Sequence, residues 1–326
     1  MKRACPKFTA TLAALATFVV ASVVYAQGTW TPLAPVIPLP TEGMTVGGVG
    51  QVIIAAYGLS ATDTNLTRLY NINTNSWTLG APAPLPGREE AAYGEAVHAG
   101  FLYAIGGKSL VPVAAVYNNL ERYDPVTNMW ATLTPMPTAR AGSAAAVVDN
   151  AVYVIGGRTQ PGGPCTAGET AVVERYDVDT DTWRTVAPLP SARSDLAAMA
   201  HGGKIFVFGG CLSGVVTNEV DMYNPETDTW TTGLMPMPTA RASLVAGKSG
   251  DNVYAIGGLG TTGTALSVNE VYKISSNSWS TAAPMPTARG EAGVHSHGGR
   301  IYVVGGFGVT PGVPTNANEV FKPKPE

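Results

Sequence analysis

The chain is 326 residues long and only 13% charged, with a formal net charge of −3. Its Lys and Arg residues are scattered and no basic run occurs. The electrostatic footprint that phosphate backbones require is therefore missing, and nucleic acid is excluded as a partner.

In chain order, the first residues carry Lys2, Arg3 and Lys7, then an apolar run from Phe8 to Tyr25, then Val24-Tyr25-Ala26 before Gln27. Charge, apolar core and small residues in that order predict a signal peptide over residues 1–26. An uncleaved signal anchor is the competing reading, because the run is just long enough to span a bilayer. Cleavage leaves 17 bases against 23 acids, a net charge of −6. No later segment is comparably long and apolar, so residues 27–326 are expected to be exported, as a secreted, periplasmic or cell-surface protein without a membrane span.

From Trp30 onward the chain is periodic. Trp30, Trp77, Trp130, Trp183, Trp230 and Trp279 are spaced by 47, 53, 53, 47 and 49 residues. Between them one order recurs: a Pro-x-Pro turn, an Arg, a small-residue stretch, an apolar run closed by Gly-Gly, a variable loop, and a Tyr seven residues before the next Trp. The apolar runs, such as Leu102-Tyr103-Ala104-Ile105 and Ile301-Tyr302-Val303-Val304, read as buried strands. The segment from each Tyr to its Trp, such as Asp124-Pro125-Val126-Thr127-Asn128, reads as a turn. Each unit thus predicts four short strands, a to d, with strand a rich in Ala and Gly because it crowds the axis.

That order of Arg, apolar strand, Gly-Gly, acid-x-Tyr and Trp resembles the kelch repeat, and it covers essentially the whole chain after residue 26. The resemblance, to exported bacterial-type kelch proteins, implies an all-β propeller with radially arranged four-stranded blades. Trp30 has no strands before it, and the C-terminal unit, through Arg289, Gly305-Gly306 and Glu319-Val320-Phe321, stops before any Trp. Six blades are therefore expected, with the strand around Trp30 completing the last. The first unit is irregular: Tyr57-Gly58 replaces the glycine pair, and Thr41-Glu42 stands where Arg is expected.

Arg88, Arg140, Arg193, Arg241 and Arg289 occupy equivalent positions where strand a begins, beside the variable loops. They form the expected ligand-binding ring, able to take carboxylates in bidentate fashion. The alternative is structural, because strand c carries an acid in five of the six units, at Glu121, Glu174, Asp221, Glu270 and Glu319. In the first unit that acid has become Arg68, while Glu42 appears near the missing Arg, which suggests reversed ion pairs. Cys165 and Cys211 fall in equivalent loops of neighbouring blades and form a possible disulfide; two separate thiols are the other reading.

Catalytic signals are sparse, and no catalytic residue is assigned. His98, His201 and His297 sit at one repeat position, each eight residues before its glycine pair, and read as turn residues. His295 alone is unique, and His295-x-His297 lacks a third ligand because Glu291 would lie about 13 Å along the strand. No metal and no cofactor is expected: Gly-x-Ser-x-Gly, phosphate-loop and Cys-x-x-Cys motifs are absent. The copper radical oxidases that some exported kelch propellers resemble are not matched, since the Tyr residues are repeat-equivalent. The expected function is noncatalytic binding of a protein, peptide or glycan on the loop face by a monomer. The alternative is a carbohydrate-active enzyme of the sialic acid mutarotase type, with Glu89, Glu90 or Glu291 moving protons.

Overall fold

The computed structural model describes residues 28–61, 64–91, 93–110, 113–309 and 313–324. The expected signal segment lies outside them. Six four-stranded antiparallel sheets make up the ring, with two short hairpins, Lys108–Ser109 with Ala115–Val116 and Cys211–Leu212 with Val215–Val216, added on the loop face. Blade 3 is representative: strands Ala144–Val148, Ala151–Ile155, Val173–Asp177 and Thr182–Val186 pair in sequence order from the axis outward. Blade 6 takes three strands from the C-terminus and its fourth from the N-terminus. Thr29–Pro32 pairs with Asn318–Lys322, Trp30 opposite Phe321. The ring is thereby closed by main-chain hydrogen bonds between the chain's two ends, with no frayed edge there.

Burial explains the composition of each strand. Strand b is covered by a blade on either side, so every residue of Ala151–Ile155 is buried and apolar. Apolar clusters lie between blades rather than within one; Ala146, Tyr153 and Ile155 of blade 3 pack with Ile205, Val207 and Tyr223 of blade 4. Each repeat Tyr faces its Trp across strands c and d at 5.0–5.1 Å between ring centres, and in blade 6 Phe321 takes the Tyr place against Trp30 at 5.0 Å.

The repeat residues also latch each blade to its predecessor. All six Trp indoles donate Nε1–H to a carbonyl of the preceding blade, Trp183 to Thr134 at 2.8 Å and Trp30 to Ala283 at 2.8 Å among them. The Tyr hydroxyl donates to the turn residue five positions on, as Tyr176 does to Asp181 at 2.7 Å. The same Asp181 oxygen accepts the Thr134 amide of the preceding blade at 3.0 Å. The polar c–d turn is thus an inter-blade clamp as well as a turn.

The glycine pair serves the other neighbour. Gly106 and Gly107 have φ of 63° and 104°, and a Cβ at Gly106 would stand 2.5 Å from the Arg140 carbonyl oxygen of the next blade. The Gly107 amide donates to that same oxygen at 3.0 Å. A side chain there would force the blades apart, so the doublet recurs.

Candidate functional site

The five expected ligand-binding arginines are placed by these contacts at the roots of the blades. Arg88, Arg140, Arg193, Arg241 and Arg289 are 0–1% exposed. Each is paired with the strand-c acid of its own blade: Glu121, Glu174 (2.5 Å), Asp221, Glu270 (2.6 Å) and Glu319 (2.9 Å) respectively. Further N–H groups go to strand-b carbonyls, Arg140 to Val154 at 3.0 Å and Arg289 to Val303 at 3.0 Å. The structural alternative therefore describes them, and no guanidinium in this ring has surface to offer a ligand. Burial against the pairing charge draws Arg241 and Arg289 down to about 10.

Blade 1 solves the same packing problem differently. Arg68 reaches from strand c into the space an Arg would fill from strand a, donating to Thr41 Oγ1 at 3.0 Å, the Ile37 carbonyl at 3.0 Å and the Tyr57 carbonyl at 3.2 Å. The suggested reversed pair with Glu42 does not form, because Glu42 turns to the mouth. Tyr57 takes the first glycine's place at φ 61° and lies under the Arg88 guanidinium, 4.0 Å from ring centre to Cζ.

The mouth is built by the next two residues after each Arg position. The second of them is left-handed in every blade: Gly43, Glu90, Gly142, Asp195, Ser243 and Glu291 have φ of 49–62°. Their amides and carbonyls form a closed annulus around the axis: Glu90 to Gly43, Gly142 to Glu90, Asp195 to Gly142, Ser243 to Asp195, Glu291 to Ser243 and Gly43 to Glu291, at 2.6–3.2 Å. The first of the two residues bridges to the residue after the glycine pair, as Glu89 does to Lys108 and Ala141 to Arg158.

Five carboxylates, Glu42, Glu89, Glu90, Asp195 and Glu291, gather here with two cations, and all seven residues are buried. Lys108 Nζ donates to Glu90 at 2.6 Å and stands 3.5 Å from Glu89. Arg158 pairs with Glu90 and, at 2.7 Å, with Asp195. The formal surplus is three negative charges. Burial, reinforced by Glu90, pushes Glu42 up to about 7, although Lys108 opposes it. Glu291 is raised well above the ordinary carboxylate range by burial and then by Glu90 and Glu89. Burial works against the charge of Lys108, but Glu90, Glu291 and Glu89 outweigh it and raise the ammonium. A cavity of about 330 Å³ opens over this group, walled by Leu59, Leu110, Leu259 and Phe307.

Cys165 and Cys211 are joined by a disulfide, with Cα atoms 5.1 Å apart. It ties the blade 3 loop to blade 4, and that loop lowers the Gly162 carbonyl onto both Lys108 and Arg158. The Cys165 amide donates to Asp195 at 3.2 Å.

Comparison with known proteins agrees with this architecture. The KLHDC2/KLHL20/DRC7 Kelch-repeats domain matches residues 96–306. The chain belongs to the kelch-repeat family. Kelch-like protein 25 of Xenopus tropicalis is 29% identical over 164 residues, covering 50% of this chain and 26% of that protein. Kelch repeat and BTB domain-containing protein 1 of Ectromelia virus is 30% identical over 166 residues, covering 50% of this chain and 28% of that protein. The chain thus matches about a quarter of the length of these relatives. The solved structure of YjhT superposes with a TM-score of 0.76 at 18% identity, covering 88% of this chain and 95% of that one, a likeness of fold.

Within this kelch propeller the histidines lie where the repeat puts them, at the end opposite the loop face. His98, His201 and His297 each bridge to the next blade's a–b turn, through Asn150, Asp251 (3.1 Å) and Gln51 (3.1 Å). His295 stands in the channel, ring-stacked on His297 at 5.9 Å and 3.6 Å from Glu95. Glu291 is turned away from that pair, since its left-handed backbone directs it to Glu42 and Glu89. Lys108, Arg158 and Asp195 were not singled out from sequence. The signal was present: the residue after the glycine pair is apolar or Cys in four blades, and Lys or Arg in blades 2 and 3 only.

Proposed function

We propose that the protein is an exported, noncatalytic interaction module that holds a protein partner across the loop face. The kelch propeller is a protein-interaction scaffold, and a single observation supports its use here: the variable loops present exposed apolar tips around the mouth, Leu110, Val113, Val215, Val309 and Val313. Apolar side chains ringing a polar, charged centre are the composition of a recognition surface. The acid excess at that centre opposes a polyanionic ligand, so the expected acidic ligand gives way to a neutral or cationic one. Among the described residues no helix is long and apolar enough to cross a membrane. The test is a peptide-display selection against the full chain, comparing Leu110→Asp and Val215→Asp with Val126→Asp on the opposite face. Binders should lose affinity for the first two and keep it for the third; equal retention by all three overturns the reading.

A second reading, a sugar mutarotase, is favoured by Glu42. A buried carboxyl drawn up to about 7 is suited to take a proton from an anomeric hydroxyl and return one to the ring oxygen. The buried arginine ring does not supply the anchor for an acidic sugar that this reading expected. One-dimensional NMR of anomer exchange for neutral and acidic sugars decides it: acceleration lost in Glu42→Gln supports the enzyme, and an unchanged exchange rate removes it.

A further inference from the structure

We propose that Glu42, Glu89 and Glu291 form a divalent-cation site of the calcium type at the junction of blades 6, 1 and 2. One oxygen from each carboxylate lies within 4.8 Å of the others, and the three residues are 4%, 2% and 4% exposed. Oxygens that lie this close can reach one ion together, with bonds of about 2.4 Å in the calcium range. An all-oxygen, all-carboxylate donor set selects hard cations and disfavours zinc or copper.

Two orphaned polar groups, one of them on a residue outside the three acids, point to a missing occupant. Glu42 Oε2 is buried with no hydrogen-bond partner. The hydroxyl of Tyr93, 4% exposed, is likewise buried and unpartnered, and Glu291 is the charged neighbour that acts on it most strongly. A buried polar atom left unpaired costs about 1–3 kcal/mol, and an ion with its coordinated water would give both atoms a partner. The nearby cations do not fill that role. Arg158 is taken up by Glu90 and Asp195, and Lys108 lies between Glu90 at 2.6 Å and Glu89 at 3.5 Å, so neither cation is placed on Glu42 Oε2 or the Tyr93 hydroxyl.

The position gives the ion a structural effect as well. Glu291 precedes the first strand of the blade shared by the two termini, while Glu42 and Glu89 open the next two blades. A cation there ties the closure seam together from the axis, where the N-terminal strand ties it at the rim. The site stands on these residues alone and does not depend on the partner proposed above.

Titration of calcium into the chelator-treated full chain, followed by calorimetry, tests the site, with manganese and its electron paramagnetic resonance as a second probe. One ion per chain is expected, with a dissociation constant of about 10⁻⁴–10⁻³ M, as in extracellular calcium modules. Glu42→Gln and Glu291→Gln should each weaken binding by more than the roughly 10–100-fold that an outer-sphere partner is worth, while Glu226→Gln in a remote turn leaves it unchanged. Circular dichroism and melting of the same samples establish that each variant is folded. Folded wild type that shows no saturable calcium or manganese binding above pH 7 overturns the proposal, as does unaltered binding in folded Glu291→Gln.

Discussion

Two concentric layers of the loop face hold nearly the same types of charge and use them oppositely. The outer layer, Arg88, Arg140, Arg193, Arg241 and Arg289 with their strand-c acids, repeats from blade to blade; every pair is closed on itself and buried. The inner layer, one and two residues further along, repeats in backbone only. All six blades place a left-handed residue in the annulus, yet its side chain is Gly, Glu, Gly, Asp, Ser and Glu in turn. A group that recurs around a ring answers a need that recurs, which is the packing of one blade on the next. A group that breaks the repeat answers a need that occurs once, and that is where we place the proposed ion.

The sharpest way to break this comparison is to remove an outer-layer charge. Arg140→Ala strands Glu174 in the interior and should cost about 3–5 kcal/mol in denaturant unfolding, whereas Arg140→Met with Glu174→Leu should recover most of it. If the single variant unfolds no more easily than wild type, the outer layer is not scaffold. Next comes the disulfide, which closes 46 residues of chain. Chain entropy assigns it about 4 kcal/mol, and Cys165→Ser with Cys211→Ser should lose roughly 2–4 kcal/mol, together with the seating of Gly162 over Lys108 and Arg158.

The inner layer should respond in the opposite direction. Glu42 titrates near 7 in the native state against an ordinary value of 4.5, so the native state binds the proton more tightly than the unfolded chain. Stability should accordingly fall as pH rises from about 4.5 to about 7 and level off above. In the absence of metal, Glu42→Gln should remove that loss, adding on the order of 2–3 kcal/mol at pH 8 and little at pH 5. Melting curves at the two pH values check this, and a variant destabilised at both would place Glu42 with the scaffold. The smallest effect belongs to a single latch: Trp183→Phe keeps the ring packing against Tyr176 but loses the hydrogen bond to Thr134, and should cost about 1 kcal/mol.

Much of this was legible along the chain because the relevant distances are short in sequence. The Trp spacing, the Tyr seven residues before each Trp, the glycine doublets and the unmatched strand at Trp30 announce six blades and their closure, since each rests on local strand periodicity and turn chemistry. The residues of the mouth were harder to read. Glu42, Glu89 and Glu291 are separated by up to 249 positions, and strand periodicity puts Glu291 in line with His295, whereas its positive φ turns it away. The promise of the arginines was misleading for a related reason: repetition shows that a residue is needed, and only burial shows for what.

The sequence by itself determined the fold, its blade count and its seam, because a period of about 50 residues with fixed internal order specifies one supersecondary unit and the number of times it is used. Only the tertiary structure decided which charges face inward to one another and which face the mouth. Ring closure brings the starts of blades 6, 1 and 2 within a few ångströms, and the left-handed annulus aims their carboxylates at one point. That convergence depends on curvature accumulated over the whole ring, and no local segment encodes it.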